Sequence, residues 1–133
     1  MSYKGGCHCG KVAFEVDGDI DQVLECNCSI CSKRGYLLWF VPRASLHLSM
    51  PESELSAYTF NTHKIKHHFC PVCGCVAFWR GQQTGQEGRR RIAVNLRLAE
   101  PEAVAEIPID HFDGLNTFDD LPRDGRCVAD YWF

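Results

Sequence analysis

The chain has 133 residues, of which 45% are hydrophobic and 23% charged, and its formal net charge is −3. That length suits a single domain over 1–133 with its own core, and the composition excludes a long disordered chain. The acidic balance argues against a nucleic-acid binder, the more so once zinc is held on thiolates.

Met1 to Gly10 contains no apolar stretch that would serve as a secretory signal. Lys11 to Val16 sets Val12, Phe14 and Val16 against Lys11, Ala13 and Glu15, a period of two that predicts a half-buried strand. Asp17-Gly18-Asp19 ends it as a turn. Val23 to Cys28 reads as a second strand running into Cys26-Asn27-Cys28-Ser29-Ile30-Cys31, and 31–35 reads as loop. Tyr36 to Val41 is apolar and aromatic enough for a buried strand that Pro42 stops. It is also the longest apolar run, too short to cross a bilayer, so no membrane association is expected.

Further short strands are expected at Leu46 to Ser49, Ala57 to Phe60, Lys64 to Phe69, Val76 to Trp79 and Arg91 to Leu96. Pro51 to Leu55 suits a helical turn, Gly81 to Gly88 a polar loop, and Arg89-Arg90-Arg91 a solvated start to the next strand. Glu100 to Ala105 can begin a short helix, because Pro101 fits a first helical position. The tail from Ile107 to Phe133 carries Gly, Pro and Asp punctuation and reads as coil over a sheet. The expected class is mainly β, with short strands and little helix.

Nine cysteines are the outlying number. Pairs separated by one or two residues suit a shared metal ion better than a disulfide framework, and the reducing cytoplasm keeps such thiolates available. Cys7 and Cys9, two apart on a strand, would face one side; Cys70 and Cys73 occupy a Cys-Pro-x-Cys-Gly turn in which Gly74 can take positive φ. These four predict a closed, structural tetrahedral site. Cys26, Cys28 and Cys31 predict a second site with three sulfurs and a place for something else, a catalytic arrangement. Cys75 can serve either ion or neither. Thiolate-rich tetrahedral sites select zinc, so two Zn2+ ions are expected.

Four pieces together resemble one family: Gly6-Cys7-His8-Cys9-Gly10, Cys26 to Cys31, Phe69-Cys70-Pro71-Val72-Cys73-Gly74, and Ile109-Asp110-His111-Phe112-Asp113-Gly114. The chain resembles the glutathione-dependent formaldehyde-activating enzymes, a family that also includes centromere protein V. The resemblance implies a zinc-stabilised β-tent of short antiparallel sheets, with a structural zinc at Cys7, Cys9, Cys70 and Cys73. It implies a catalytic-type zinc at Cys26, Cys28 and Cys31. It further implies an S-(hydroxymethyl)glutathione synthase-like carbon-sulfur lyase whose partners are a small-molecule thiol such as glutathione and an aldehyde. A non-enzymatic zinc module that engages a protein partner is the alternative, and Cys75 stands where the resemblance would place Thr or Ser.

Other candidates carry less. His63, His67 and His68 read as solvated or hydrogen-bonded rather than metal-binding. His111 and Asp113 are an acid-base pair only if the tail covers the second site, and otherwise form an ordinary loop. Lys33 and Arg34 are the cations nearest the triplet that would meet a substrate carboxylate. Trp39, Phe40, Phe78 and Trp79 read as core, and Cys127 as a buried free thiol.

Overall fold

A computed structural model describes residues 1–81 and 91–131. The chain is mainly β, as expected, and the described residues contain two short α-helices. In chain order the strands and helices are β1 (Ser2–Gly6), β2 (Ala13–Asp17), β3 (Val23–Cys26), α1 (Ser29–Arg34), β4 (Leu38–Pro42), β5 (Leu46–Leu48), β6 (Ser56–Tyr58), β7 (Ile65–Phe69), β8 (Val76–Gly81), β9 (Arg91–Asn95), α2 (Pro101–Val104), β10 (Ile109–Phe112) and β11 (Asp120–Leu121). A 3-10 turn at Glu52–Glu54 occupies the expected helical turn after Pro51. Residues 82–90, including most of the expected polar loop and Arg89 and Arg90, lie outside the described residues.

Two sheets carry the fold. A three-stranded sheet runs β1-β2-β5, and an eight-stranded sheet runs β11-β10-β3-β4-β9-β8-β7-β6. The alternation read in β2 is the physical one: Val12, Phe14 and Val16 are almost wholly buried, while Ala13 and Asp17 face solvent. They join Val23, Phe78, Ile92, Val94 and Ile109 in the main core. A smaller apolar cluster of Tyr36, Leu38, Val76 and Ala93 holds buried Cys31, with Cys26 and Cys28 packed against it.

Three expectations need correction. The 31–35 loop is largely helix: Cys28 caps α1, its sulfur taking the Cys31 N–H at 3.5 Å, and Gly35 ends it in the left-handed region. The tail is not mere coil, for β10 pairs with β3 along Ile109↔Val23 to Phe112↔Cys26. That pairing is parallel, so the larger sheet is mixed rather than purely antiparallel. A parallel partner more than eighty residues away leaves no local periodic signal, because such pairing is joined by a long crossover.

Candidate metal centres and active site

Cys7 and Cys9 follow β1 in a tight turn, not along a strand. Gly10 N–H donates to the Cys7 carbonyl at 3.2 Å, and Cys7 N–H donates to the Val12 carbonyl at 2.8 Å. The turn brings both sulfurs to the β7–β8 connection, where Gly74 N–H donates to the Cys70 carbonyl at 2.9 Å and Gly74 takes a φ of 81°. The positive φ expected of this glycine is what reverses the chain there.

The Sγ atoms of Cys7, Cys9, Cys70 and Cys73 all lie within 4.8 Å of one another. Cys9 Sγ is 3.6 Å from both Cys7 Sγ and Cys70 Sγ. A disulfide would need about 2.05 Å. A tetrahedron with Zn–S bonds of about 2.3 Å has edges of about 3.8 Å. The spacing and the all-sulfur donor set therefore fit zinc. Backbone donors support thiolate here: Val12 N–H reaches Cys7 Sγ at 3.2 Å, and Val72 N–H reaches Cys70 Sγ at 3.4 Å. Cys73 is pulled down to about 5, first by the Cys75 backbone N–H and then by that of Cys9, so it is ionised at neutral pH.

The second set is built where β3 ends and α1 begins. Cys26 closes the strand, Cys28 is the helix cap, and Cys31 lies one turn along, so three sulfurs converge within 4.8 Å. Cys28 N–H donates to Cys26 Sγ at 3.4 Å. Burial alone would raise the Cys28 thiol, but hydrogen bonds from the Cys31 side chain and backbone outweigh it and lower the pKa. Burial raises Cys31, with Cys28 and Cys26 adding to the effect. A cation placed among these sulfurs would relieve that repulsion, so this donor set also fits a thiophilic metal.

Cys75 belongs to neither set. Its surroundings are His8, Cys73 and Cys7, on the side of the first set. Among the described residues the triplet therefore has three convergent protein sulfurs and no fourth cysteine, histidine or carboxylate.

Beside the triplet is a cleft of about 530 Å³ bordered by Glu25, Cys26, Asn27, Cys31, Arg97 and Tyr131. Arg97 Nη2 donates to the Tyr131 carbonyl at 3.3 Å. Burial, then the Glu25 carboxylate, push the Tyr131 phenol up to about 12, so it remains a donor. The cleft is thus walled by Arg97 and Tyr131 and also by two of the three triplet cysteines.

Of the other sequence candidates, Asp113 lies beside the triplet through its bond to Asn27, and the histidines fall elsewhere. His67 and His68 are buried on β7, His67 at 3.0 Å from the Tyr36 hydroxyl and His68 at 3.4 Å from Glu52. His63 lies 2.8 Å from Thr59 Oγ1. His111 sits between the Glu25 and Asp124 carboxylates, at 3.4 and 3.2 Å. Asp113 is held at about 2 by the Asn116 N–H, the Asn27 side chain and the Thr117 N–H, which makes it a loop acceptor rather than a proton carrier. Arg34 donates to the Tyr36 hydroxyl and lies over Tyr58 and Phe69, and Lys33 borders a separate groove. Phe78 is core, Trp39 and Trp79 are half-buried and pack against the main and the smaller cluster, and Phe40 is exposed beside another cleft. Cys127 is half-buried and takes no place in either sulfur set.

The family model for glutathione-dependent formaldehyde-activating enzyme matches residues 2–106. The chain belongs to that family. A crystal structure of a Rhodobacter sphaeroides protein, determined as a structural genomics target, is similar with a TM-score of 0.59 and 29% identity. The similarity covers 80% of this chain and 98% of that one. Membership in the formaldehyde-activating family associates the chain in general terms with glutathione- and formaldehyde-related, lyase-like chemistry. The stretch matched to the family contains both sulfur sets and Arg97, while Tyr131 and the β10–β11 loop lie beyond it. Arg97 and Tyr131 carry no motif signal, and only the fold brings them to Cys26 and Cys31. Asn27 sits between two candidate ligands, and its polar side chain is the one local hint that something besides metal is gripped there.

Proposed function

We propose that this chain is a zinc-dependent carbon-sulfur lyase acting on a thiol-aldehyde adduct, S-(hydroxymethyl)glutathione synthase-like, working as one domain in the reducing cytoplasm. Cys7, Cys9, Cys70 and Cys73 are the ligands of a structural zinc, and Cys26, Cys28 and Cys31 those of a catalytic one. The observation that carries this reading is the triplet's three-sulfur donor set beside a cleft, with Cys75 drawn to the other set. A buried tetrahedron closed by Cys75 would have favoured a binding module, and the sulfurs are not arranged that way.

Zinc, when bound, acidifies a coordinated thiol and so supplies a nucleophilic sulfur near neutral pH. The chain's own groups do the rest. Arg97 offers charge to a substrate carboxylate, such as either of those in glutathione. Tyr131, kept protonated by burial, walls the same cleft. In the synthetic direction a sulfur–carbon bond forms, the carbonyl π bond breaks onto oxygen, and the proton lost by the thiol ends on that oxygen. The lyase direction reverses each change, so no further reactant is needed. Three thiolates leave a zinc site near a net charge of −1, which suits thiol exchange better than hydrolysis by bound water.

Metal analysis together with a glutathione titration tests the reading. Two zincs per chain and saturable binding are expected. Cys28→Ser should lower the content toward one zinc and abolish thiol binding; thiol binding unchanged in that variant overturns the mechanism.

A further inference from the structure

The loop between β10 and β11 comes to lie on the second sulfur set. We infer that this loop is a positioning element for the Cys26–Cys28–Cys31 metal site, with Gly114 the residue whose missing side chain lets backbone close on a ligand sulfur. The inference rests on reading that set as a metal site.

A Cβ at Gly114 would stand 2.6 Å from Cys26 Sγ and 3.0 Å from Cys28 Cβ. Gly114 is not among the glycines of positive φ, so its backbone angle is open to any residue. Glycine is needed there for space. Its backbone therefore packs directly on the Cys26 sulfur, with no room between them for a methyl group. Outer groups packed this closely on a metal-bound thiolate limit the directions its sulfur can take.

The rest of the loop holds Gly114 in place. Asp113 Oδ1 accepts from Asn27 Nδ2 at 3.1 Å, Leu115 N–H at 3.3 Å and Asn116 N–H at 3.0 Å. Asp113 Oδ2 accepts from Thr117 N–H at 3.2 Å and Thr117 Oγ1 at 3.0 Å. Asn27 Oδ1 accepts from Leu115 N–H at 3.0 Å, so one amide, set between two ligands, grips the loop through both of its ends. Asn27 N–H donates to the Phe112 carbonyl at 3.3 Å and continues the β3–β10 ladder into the site. Fixing the loop and fixing the Cys26 sulfur are thereby one event.

Cobalt substitution tests this with a readout other than activity. The metal-free chain is titrated with Co(II) in competition with a chelator, and the thiolate-to-cobalt charge-transfer bands report each site. The wild type should take two cobalts. Gly114→Ala should bind the second cobalt about 10- to 100-fold more weakly, with a shifted band, and keep the first site unchanged. Asp113→Asn, which sets an amide donor against loop donors, should shift the same band. Thr117→Val, losing one hydroxyl donor, should shift it less. Two cobalts in the wild type with Gly114→Ala indistinguishable from it overturns the positioning role and leaves the metal reading standing. One cobalt in the wild type overturns both. Should Gly114→Ala lose its first-site band and so prove unfolded, Asp113→Asn and Thr117→Val decide by the same criterion.

Discussion

His67 sits on β7, next to the edge strand of the larger sheet, where Arg34 Nη1 donates to the Tyr36 hydroxyl and that hydroxyl is hydrogen-bonded to His67 Nδ1 at 3.0 Å. Burial, then the Arg34 charge, lower its pKa to about 4 from an ordinary 6.5. The unfolded chain therefore takes up this proton first. Stability should be full above pH 6.5 and fall as pH drops toward 4, by about 1.4 kcal/mol per unit and on the order of 3 kcal/mol in all. Urea midpoints at pH 7 and pH 5 check this, with zinc content followed at each pH because acid also protonates thiolates. His67→Gln should lose less stability than the wild type between those two pH values. Burial of His68 lowers its pKa in both proteins and so leaves the comparison intact. The sequence names these histidines as non-ligands, but their burial is set by β6 and β8 on either side, which no local pattern encodes.

At the scale of elements, one buried side chain decides where β9 stops. Asn95 Oδ1 accepts from Arg97 N–H at 3.2 Å and Leu37 N–H at 3.3 Å, and Nδ2 donates to the Val76 carbonyl at 2.9 Å. It joins β9 to the start of β8 and to the approach to β4. Asn95→Leu keeps the volume roughly but leaves buried backbone groups without partners, and should cost about 2 to 4 kcal/mol, read as a lowered urea midpoint. The strand was legible from Arg91 to Leu96 and its end was not, since the side chain that ends it bonds across the sheet. β2 was legible because one of its faces is dry. α1 was obscured because its cap is a cysteine, a residue that reads first as a ligand. The sorting of seven sulfurs into two sets was legible from spacing, although Cys7 and Cys9 converge through a turn and not through strand alternation.

For the molecule as a whole, the first sulfur set ties the chain's beginning to its middle. Cys9 and Cys70 are 61 residues apart, and a link closing a loop of that length removes chain entropy worth about 4 kcal/mol by the relation used for disulfides. Zinc at this set should act in the same sense, since binding free energy there is folding free energy. Cys9→Ser, at the most exposed of the four, should lower the denaturation midpoint and make it insensitive to added chelator at this site; a wild-type midpoint unmoved by chelation would contradict the clasp. No helix among the described residues is long and apolar enough to cross a membrane.

The grip of Asn27 on Asp113 spans 86 residues, and it sets an order of events during synthesis. The sulfurs at 26, 28 and 31 leave the ribosome on the order of ten seconds before Gly114 does. Through that interval the triplet has no β10–β11 loop to pack against it.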